Sequence, residues 1–408
     1  MSALPRPHPL ARAALVDRLN GWLERAWRVG LSSRPSLDPA ALWASARLGG
    51  PAAGEHGGRG AEDIADFRTR LERLCTALEG EAALNPLGRT IAHGQLVRVL
   101  RQRLRLGALW QRRPELLATP LAPPILVVGQ MRGGTTRVHR LLAADPAHAA
   151  TRFCDSWHPL PRGFPDPRPA YAAATLAFVR RLNPWIDSIH PFGTTRPDEE
   201  LGWLAAALSP CAYEAQWCVP AFSRWSEERD PAPVYREFAR ILATDAAHGG
   251  NAGRPRVLKV PQFAEDLPAL IAQFPGARVV FARRAAEDVV RSATSLVANQ
   301  MAIQSDAADL GRIAAECRRK VVLREARMDD AAARLSAGDA APIVSGAVAE
   351  VAFADLDRHW EGAIAAVYRD LGLPLTRTAI AAMRAEQGRA AQGPHRAHRA
   401  SYQRFARA

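Results

Sequence analysis

The chain has 408 residues, of which 48% are hydrophobic and 23% are charged, and its formal net charge is +13. This length and composition are ordinary for a globular protein with one large α/β domain and an added helical segment. No run approaches the roughly 20 apolar residues that cross a bilayer, and the first residues lack the apolar core of a secretory signal. We therefore expect a cytoplasmic protein without stable membrane insertion.

The positive charge is carried almost wholly by arginine. Lysine occurs only at Lys259 and Lys320, so the other 52 of the 54 basic residues are arginines. These residues are spread along the chain rather than gathered in one stripe, which argues against nucleic acid as a partner. An anionic nucleotide would benefit from the same positive field.

The cysteines indicate neither a disulfide framework nor a zinc site. Their number is odd, and no two of them form a C-x-x-C pair. We expect reduced, buried thiols at Cys75, Cys154, Cys211, Cys218 and Cys317.

Residues 1–118 are predicted to form a helical N-terminal region. The segments with apolar residues at helical spacing are residues 11–27, 63–84 and 91–110. A further helix is expected to start at Pro39 with Asp38 as its cap, and the Gly/Ala-rich residues 49–60 are expected to form a mobile loop. We interpret the region as a cover, or as a dimerisation or acceptor-binding element, so a homodimer is among the expected assemblies.

A short apolar run followed by a glycine-rich turn is the most informative stretch. Residues 125–128 predict a strand buried on both faces, and helical spacing begins after Gly134. The intervening residues 129–136 read Gly-Gln-Met-Arg-Gly-Gly-Thr-Thr. Glycines allow several backbone N–H groups and the positive end of the helix dipole to face one point, and Arg132 adds a charge. The loop is therefore predicted to bind a phosphate.

The same loop departs from that of magnesium-dependent nucleotide hydrolases. Gly129 and Gly134 have the required spacing, but Thr135 stands where those enzymes have lysine. The only cation inside the loop is Arg132, and no later apolar strand ends in the aspartate that would hold magnesium. A metal-assisted hydrolase is therefore disfavoured and no metal is expected, while a kinase-like phosphotransferase stays open as an alternative.

Residues 149–153 predict a second short strand, with Asp155 and His158 just after it. Open parallel sheets bind ligands at the carboxyl ends of their strands, so both residues are candidates for the site. The alternative for Asp155 is a loop residue that caps its own backbone.

Residues 170–250 are predicted to be helical and rich in large aromatic residues. Such a density is typical of a core, although some of these side chains would also suit an apolar acceptor pocket. A polar loop within the segment contains His190 and Glu199. The tryptophans in and near the segment are Trp157, Trp185, Trp203, Trp217 and Trp225.

Two later strands are predicted to end in basic residues. Residues 256–260 form a strand that stops at a proline and leaves Lys259 near its exit, where the use of lysine indicates a need for a compact ammonium. Residues 278–282 form the next strand, followed by Arg284. Ser292 lies eight residues further on, so a guanidinium and a hydroxyl can meet on one phosphate.

The remaining elements complete an alternating pattern. The predicted helices cover residues 262–274, 297–336 and 359–371, the last strand covers residues 347–353, and residues 387–408 form a basic tail. Strands that alternate with helices across short turns define a parallel α/β sheet. The predicted fold class is therefore α/β.

The order of these motifs resembles that of bacterial sulfotransferase-family proteins. Residues 127–146 are close to the family's I-V-G-x-x-R-S-G-T-T-x-L-H-R-L-L-A-x-D-P, and Lys-x-Pro and R-V-V-F-A-R-R segments follow in the family's order. Residues 398–405 partly match an H-R-Y-S-x-x-D-F-type tail. The resemblance implies a P-loop NTPase-like fold of the sulfotransferase type over residues 119–408, a three-layer parallel sheet sandwiched by helices. Residues 170–250 would be its helical insertion on the acceptor side.

The resemblance also implies 3′-phosphoadenosine 5′-phosphosulfate as the donor of a sulfuryl group. The acceptor would be a hydroxyl or amine on a small molecule, carbohydrate or lipid. By similarity, the residues that hold the 5′-phosphosulfate would be Arg132, Gly133, Gly134, Thr135 and Thr136. Arg284 and Ser292 would hold the 3′-phosphate.

Sulfuryl transfer needs in-line positioning, stabilisation of the leaving phosphate and a base for the acceptor's proton. Lys259 and Arg132 are the candidates for stabilising the leaving phosphate. The candidates for the base are Asp155 first, with His158, His190 and Glu199 behind it.

Three departures from the family pattern affect these assignments. Gly133 replaces a serine and removes one hydroxyl donor. Ala285 and Ala286 replace the usual Asp-Pro after Arg284, and Asp155 replaces a glutamate. A catalytically inactive nucleotide-binding relative is therefore a second alternative.

Overall fold

A computed structural model of the chain describes residues 6–48, 54–337 and 348–391. The tail motif predicted at residues 398–405 lies outside the described residues, as do residues 49–53 of the predicted mobile loop. Among the described helices, none is both long and apolar enough to cross a membrane.

Five parallel strands form one sheet. Along the chain they are β1 (Ile125–Gly129), β2 (Ala149–Ala150), β3 (Arg256–Leu258), β4 (Arg278–Arg283) and β5 (Val348–Ala352). Their spatial order is β2-β3-β1-β4-β5, so β1 lies between β3 and β4. Every residue of β1 is buried, as expected for a short run of apolar and β-branched residues covered on both faces. The predicted parallel α/β sheet is confirmed.

Helices surround the sheet. The first eight are α1 (Ala14–Arg28), α2 (Pro39–Arg47), α3 (Ala61–Gly80), α4 (Pro86–Arg112), α5 (Thr135–Ala144), α6 (Phe153–Trp157), α7 (Arg168–Leu182) and α8 (Ile186–Ile189). They are followed by α9 (Leu201–Ala206), α10 (Pro220–Glu227), α11 (Ala232–Gly249), α12 (Phe263–Gln273), α13 (Ala286–Gln304), α14 (Leu310–Ala337), α15 (Phe353–Asp370) and α16 (Arg377–Ala391). Short 3₁₀ turns occur at Pro114–Ala118 and Pro210–Ala212.

Two apolar cores, one on each face of the sheet, give the α/β part three layers. Successive side chains of a strand point to opposite faces. Leu126 and Val128 pack with α11, α12 and α14, whereas Ile125 and Val127 pack with α5, α15 and α16. The predicted three-layer arrangement is therefore confirmed.

The N-terminal helices share their cores with the rest of the chain. Leu42, Phe67 and Leu96 of α2, α3 and α4 pack with Trp217, and Trp110 of α4 belongs to the core beneath the sheet. Asp38 caps α2 as predicted, because its carboxylate accepts a hydrogen bond from Ala41 N. Division of the chain into regions 1–118 and 119–408, with an insertion at 170–250, remains a prediction.

Two tryptophans of the segment 170–250 are core residues. Trp203 and Trp217 are 0% and 1% exposed, and their indole N–H groups donate to Asp155 O and to Gln304 Oε1. Satisfied indole donors are typical of buried tryptophans. The core interpretation therefore holds for both, and neither lines an acceptor pocket.

The glycine-rich segment before α3 is packed where it is described, which was not expected of a mobile loop. A Cβ atom on Gly54 would lie 1.7 Å from Leu104 O, and one on Gly57 would lie 1.9 Å from Gly107 O. The backbone therefore lies directly on α4, at a distance that only glycine allows.

The second strand is shorter than predicted. β2 ends at Ala150, and α6 begins at Phe153, because this segment bonds to the loop before α9 instead of to the sheet. Phe153 N donates to Arg196 O at 3.0 Å. Asp155 and His158 therefore lie in and just after a short helix rather than at a strand end.

The helix predicted over residues 297–336 is two helices, α13 and α14. The break is held by the turn between α3 and α4: Asn85 N donates to Gln304 O at 3.0 Å, and Ser305 Oγ donates to Ala83 O at 3.0 Å. These partners are more than 200 residues apart, so nothing in the local pattern indicated the break.

The C-terminal helices also differ from expectation. α15 begins immediately after β5 and changes direction at His359, whose φ is −154° and ψ is 75°. The sequence predicted only the part after this kink. α16 was not predicted, and its buried Ala379 and Met383 complete the core against α5.

A buried ion pair joins the N-terminal region to α11. Arg59 donates to both oxygens of Glu237, at 2.8 and 2.6 Å, and both side chains are almost unexposed. Burial would raise the pKa of Glu237, but the charge and hydrogen bonds of Arg59, with Arg103 and Arg240 nearby, lower it to about 2. Removing one partner of such a pair leaves a buried, uncompensated charge.

We expect Arg59→Met to lower the free energy of unfolding by about 3 to 5 kcal/mol, measured by urea unfolding at neutral pH. The matched control is Arg28→Met, because Arg28 pairs with Glu24 on an exposed helix face at 3.3 Å. That change should stay below about 1 kcal/mol. Equal effects of the two substitutions would contradict a stabilising role for the buried pair.

Candidate functional site

The candidate site lies at the carboxyl edge of the sheet, where β1 runs into α5 through residues 129–136. Two residues of this turn have a positive φ, Arg132 at 70° and Gly134 at 92°. Gly133 N donates to Gln130 O at 2.8 Å and closes the turn. Gly134 precedes the first residue of α5, so the unpaired N–H groups of that helix start face the turn. The backbone is therefore suited to holding an anion.

The glycines of the turn are required by close packing. A Cβ atom on Gly134 would lie 2.4 Å from Cδ2 of Phe353, and one on Gly129 would lie 2.7 Å from Ala282 O. Any side chain at either position would displace α15 or β4. The turn therefore packs directly against α15 and β4.

Arg132, Arg284 and Ser292 lie together. Arg132 Nε donates to Ser292 Oγ at 3.0 Å, and Arg132 Nη1 donates to Ile189 O at 2.8 Å. Arg284 Nη1 donates to Arg132 O at 2.9 Å. The structure therefore brings the turn, the exit of β4 and the second turn of α13 to one place.

Two neighbouring guanidiniums make this place electropositive. Burial lowers the pKa of Arg132 to about 10, and the charge of Arg284 acts in the same direction. Arg284 packs on the ring of Phe353, with Cζ 4.6 Å from the ring centroid. Its Nε is buried and has no hydrogen-bond partner among the described residues. An anion placed here would satisfy that donor and offset the repulsion.

Lys259 lies on the other side of the turn. It is 1% exposed, and its ammonium donates to Thr136 Oγ1 at 3.0 Å and, through a short contact, to Glu199 Oε1. Thr136 is the second residue of α5. The turn itself has no lysine, but Lys259, which directly follows β3, places an ammonium at the start of α5.

A second carboxylate, that of Glu200, holds the backbone at the exit of β3. Glu200 Oε2 accepts from Lys259 N at 2.9 Å, and the side chain is 0% exposed. Burial raises the pKa of Glu200 to about 8, even though the hydrogen bonds from Lys259 N and Thr151 and the charge of Arg256 oppose the rise. Glu200 is therefore a structural group at the exit of β3.

The loop before α9 adds a histidine and an aspartate to the site. His190 Nε2 lies 3.3 Å from Asp198 Oδ1, and His190 directly follows Ile189, whose carbonyl accepts from Arg132. Burial would raise the pKa of Asp198, but the charge and hydrogen bond of His190, with Lys259, lower it to about 2. Sequence reasoning noted the polar loop but did not select Asp198, because the pairing depends on how the loop folds back.

Asp155 and His158 belong to a different cluster. Asp155 accepts hydrogen bonds from Arg152 at 2.6 and 2.8 Å, and Arg168 Nη1 lies 3.2 Å from the same carboxylate. Burial, with the charges of Arg98 and Arg168 next, lowers the pKa of His158 to about 4. Neither side chain forms a described contact with the glycine turn.

Among the described residues, one group has the composition of a metal site. Donor atoms of His190, Asp198 and Glu199 lie within 4.8 Å of one another. Glu199 already forms an ion pair with Lys259, and one oxygen of Asp198 already contacts His190. A divalent cation would compete with the buried ammonium of Lys259 for Glu199, which argues against a metal at this group.

A separate groove of about 500 Å³ lies at the opposite, amino-terminal edge of the sheet. It is lined by residues such as Pro124, Phe274 and Arg240, which precede β1, precede β4 and lie on α11. None of the candidate site residues contacts it, and open parallel sheets bind ligands at the other edge. The groove is therefore not part of the candidate site.

Comparison with protein families identifies one match. The model described as "Sulfotransferase family" matches residues 123–377, which run from just before β1 to the start of α16. More than half of the chain is included, and the glycine turn, Lys259, Arg284 and Ser292 all lie within it. No curated protein matches the chain significantly.

Two solved structures are similar over most of the chain. Sulfotransferase STF1 from Mycobacterium tuberculosis has a TM-score of 0.75 and 28% sequence identity, with 86% of this chain and 94% of that chain covered. Sulfotransferase STF9 from Mycobacterium avium has a TM-score of 0.73 and 20% identity, with 88% and 89% covered, and bears on the fold alone. The P-loop-like α/β fold predicted from the sequence is confirmed.

We expect Gly134→Ala to lower the free energy of unfolding by about 1 to 3 kcal/mol, because alanine would be strained at a φ of 92° and would clash with Phe353. The matched control is Gly94→Ala within α4, where an added Cβ atom meets nothing within 4 Å. That substitution should stabilise by up to about 1 kcal/mol. Both variants are compared by urea unfolding, and an unchanged stability of the Gly134 variant would contradict the packing argument.

Proposed function

We propose that this chain, which belongs to the sulfotransferase family, transfers a sulfuryl group from 3′-phosphoadenosine 5′-phosphosulfate to a hydroxyl or amine. The observation that carries the proposal is the convergence of three cations, Arg132, Arg284 and Lys259, on one glycine turn at the carboxyl edge of the sheet. The donor carries phosphate groups at its 3′ and 5′ positions, and the three cations come from the exits of β3 and β4 and from the turn between them.

The glycine turn would hold the 5′-phosphosulfate. The donor supplies the sulfuryl group, and the bisphosphorylated nucleotide leaves. The residues for this end are Arg132, Gly133, Gly134, Thr135 and Thr136. Backbone N–H groups at the start of α5 offer fixed dipoles that need no rearrangement during the reaction, so the missing serine hydroxyl at Gly133 removes one donor among several.

Arg284 and Ser292 would hold the 3′-phosphate. The unpartnered, buried Nε of Arg284 is a donor for a phosphate oxygen, and Ser292 Oγ already bonds to Arg132. α13 begins at Ala286 even without the Asp-Pro of the family pattern. The helix that carries Ser292 is thus retained despite this departure.

Lys259 would stabilise charge on the leaving phosphate. It is the buried cation nearest to the start of α5, and its bond to Thr136 fixes the ammonium at the turn. A charge fixed in a dry site acts more strongly than one in water. Arg132 would act with it from the opposite side of the turn.

Glu199 is our candidate for the general base. Its carboxylate lies on Lys259, so an anion that binds to Lys259 would weaken this pair and leave the carboxylate available for the acceptor's proton. The neighbouring His190 and Asp198 would orient the same loop. Asp155, the first candidate from the sequence, is instead held by two arginines, which favours a structural role.

The acceptor class proposed is that expected from the sequence, a small molecule, carbohydrate or lipid with a hydroxyl or amine. Glu199 lies in the loop before α9, which bonds to the start of α6 through Phe153, so the acceptor would enter on this side. The side chains of Phe192 and Trp157, which are half-buried beside Phe153, offer apolar contact there.

Calorimetric titration with 3′-phosphoadenosine 5′-phosphate tests the nucleotide site. We expect micromolar binding, weakened about 10- to 100-fold by Arg132→Ala or Arg284→Ala, because each removes charge-assisted hydrogen bonds. The matched control is Arg105→Ala on the exposed face of α4, which should bind as the unaltered protein does. ATP with magnesium is titrated in parallel, and tighter binding of ATP would support the kinase-like alternative and overturn the proposal.

The base is tested by comparing Glu199→Gln with Asp155→Asn. We expect Glu199→Gln to reduce consumption of the donor, with p-nitrophenol or water as acceptor, by about 100-fold or more while nucleotide binding persists. Asp155→Asn should lower thermal stability, because it removes the buried carboxylate that Arg152 and Arg168 share and leaves Arg168 with Asp166 alone. Lost turnover at unchanged stability in Asp155→Asn would return the base role to that residue, and absent turnover in the unaltered protein would support an inactive relative.

A further inference from the structure

Helix α7 exposes an uncharged face. Residues 169–179 contain no charged side chain, yet most of them are exposed. A helix that is apolar on all sides is normally buried in a core. The outer face of α7 therefore needs a partner that the core does not provide.

Three large aromatic side chains mark this surface. Phe164, in the loop before α7, is 102% exposed, and Tyr171 and Phe178 on the helix are 51% and 50% exposed. Residues seven apart lie on the same face of a helix, so Tyr171 and Phe178 stand in line. We call these three side chains, with the exposed alanines between Tyr171 and Phe178, the α7 surface.

The inner face of α7 fixes the direction of this surface. Ala172 and Leu176 are buried against Phe153 and Cys154 of α6, and Leu182 packs with Val16 of α1. Tyr171 and Phe178 therefore lie on the side of α7 away from this inner face, where the Tyr171 ring lies 5.8 Å from that of His158.

The surface is bordered by positive charge. Arg162 and Arg181 are exposed around it, while Arg180 is paired with Asp187 at 2.7 Å. Asp166 is the single carboxylate between residues 161 and 185, and it pairs with Arg168 at 2.9 Å. Exposed aromatic groups inside an arginine border match the interface of an anionic membrane, where rings enter the headgroup region and arginines meet lipid phosphates.

We propose that the α7 surface binds the face of an anionic lipid membrane. Two other occupants fit the charge less well. A second copy apposed through the same surface would place two arginine borders against each other, and the chain's own residues 392–408 contain four arginines, two histidines and no carboxylate. Like charges in close apposition destabilise an interface.

The binding does not depend on sulfuryl transfer, but its position relates to the site. Arg168 at the start of α7 pairs with Asp155 of α6 at 3.2 Å, and Ile189 of the next helix accepts from Arg132. Contacts of α6, α7 and α8 thus connect the α7 surface to the candidate site.

Co-sedimentation with lipid vesicles tests the inference. The full chain is mixed with vesicles of phosphatidylcholine alone or with about 30% phosphatidylglycerol, and its partition coefficient is measured at low and high salt. We expect binding to the anionic vesicles only, weakened by salt. The double variant Tyr171→Ser/Phe178→Ser should lower the partition coefficient by about tenfold or more, and Arg162→Gln/Arg181→Gln should also weaken binding.

Matched controls separate this surface from the overall positive charge. Val322→Ser removes an apolar side chain that is 62% exposed on α14, and Arg105→Gln/Arg377→Gln removes two exposed arginines elsewhere. Neither should change vesicle binding. Equal losses in the control and α7 variants, or no binding to anionic vesicles, would overturn the inference. So would light scattering that reveals a dimer which the Tyr171→Ser/Phe178→Ser change dissociates.

Discussion

The parallel pairing of β1 with β3 and β4 is the constraint on which the candidate site depends. Gly129, the last residue of β1, is level with Ala282 of β4, and Leu126 is level with Leu258 of β3. Because all three strands run in one direction, their exits open at one edge of the sheet. The glycine turn, Lys259 and Arg284 are therefore brought together by strand register, although they lie up to about 150 residues apart in the sequence.

Burial then determines what these cations can do. Lys259 is neutralised by Glu199, but the hydrogen bonds of Arg132 go to a hydroxyl and a carbonyl, and Arg132 lies beside Arg284 without a carboxylate in direct contact. A buried charge without an opposite charge is costly. A fold that retains such an arrangement at a helix start is suited to an anionic ligand, and this imbalance distinguishes the candidate site from the paired arginines around Asp155 and Glu237.

Buried ion pairs also join segments that are distant in the sequence. Both lysines are buried, and Lys320 of α14 contacts Glu214, Glu227 and Glu265 from three other segments. The Arg59–Glu237 pair similarly joins the segment before α3 to α11. The chain thus uses both of its lysines inside the molecule.

The sequence by itself determined the elements with strong local signals. The apolar run of β1, the turn at Gly134, the cap at Asp38 and the alternation of strands with helices were all correctly predicted, because propensity, glycine geometry and capping act over a few residues. The family resemblance followed from the same short motifs, since they require fixed residue types at fixed spacing.

The tertiary structure alone decided which side chains meet. The break after Gln304, the shortening of β2 and the pairing of His190 with Asp198 are set by hydrogen bonds between segments distant in sequence. The same is true of Asp155, which looked free in the sequence and is bound by two arginines, and of Glu199, which is joined to Lys259 from 60 residues away. Local patterns carry no record of such contacts, because their free energy arises only when the chain has packed.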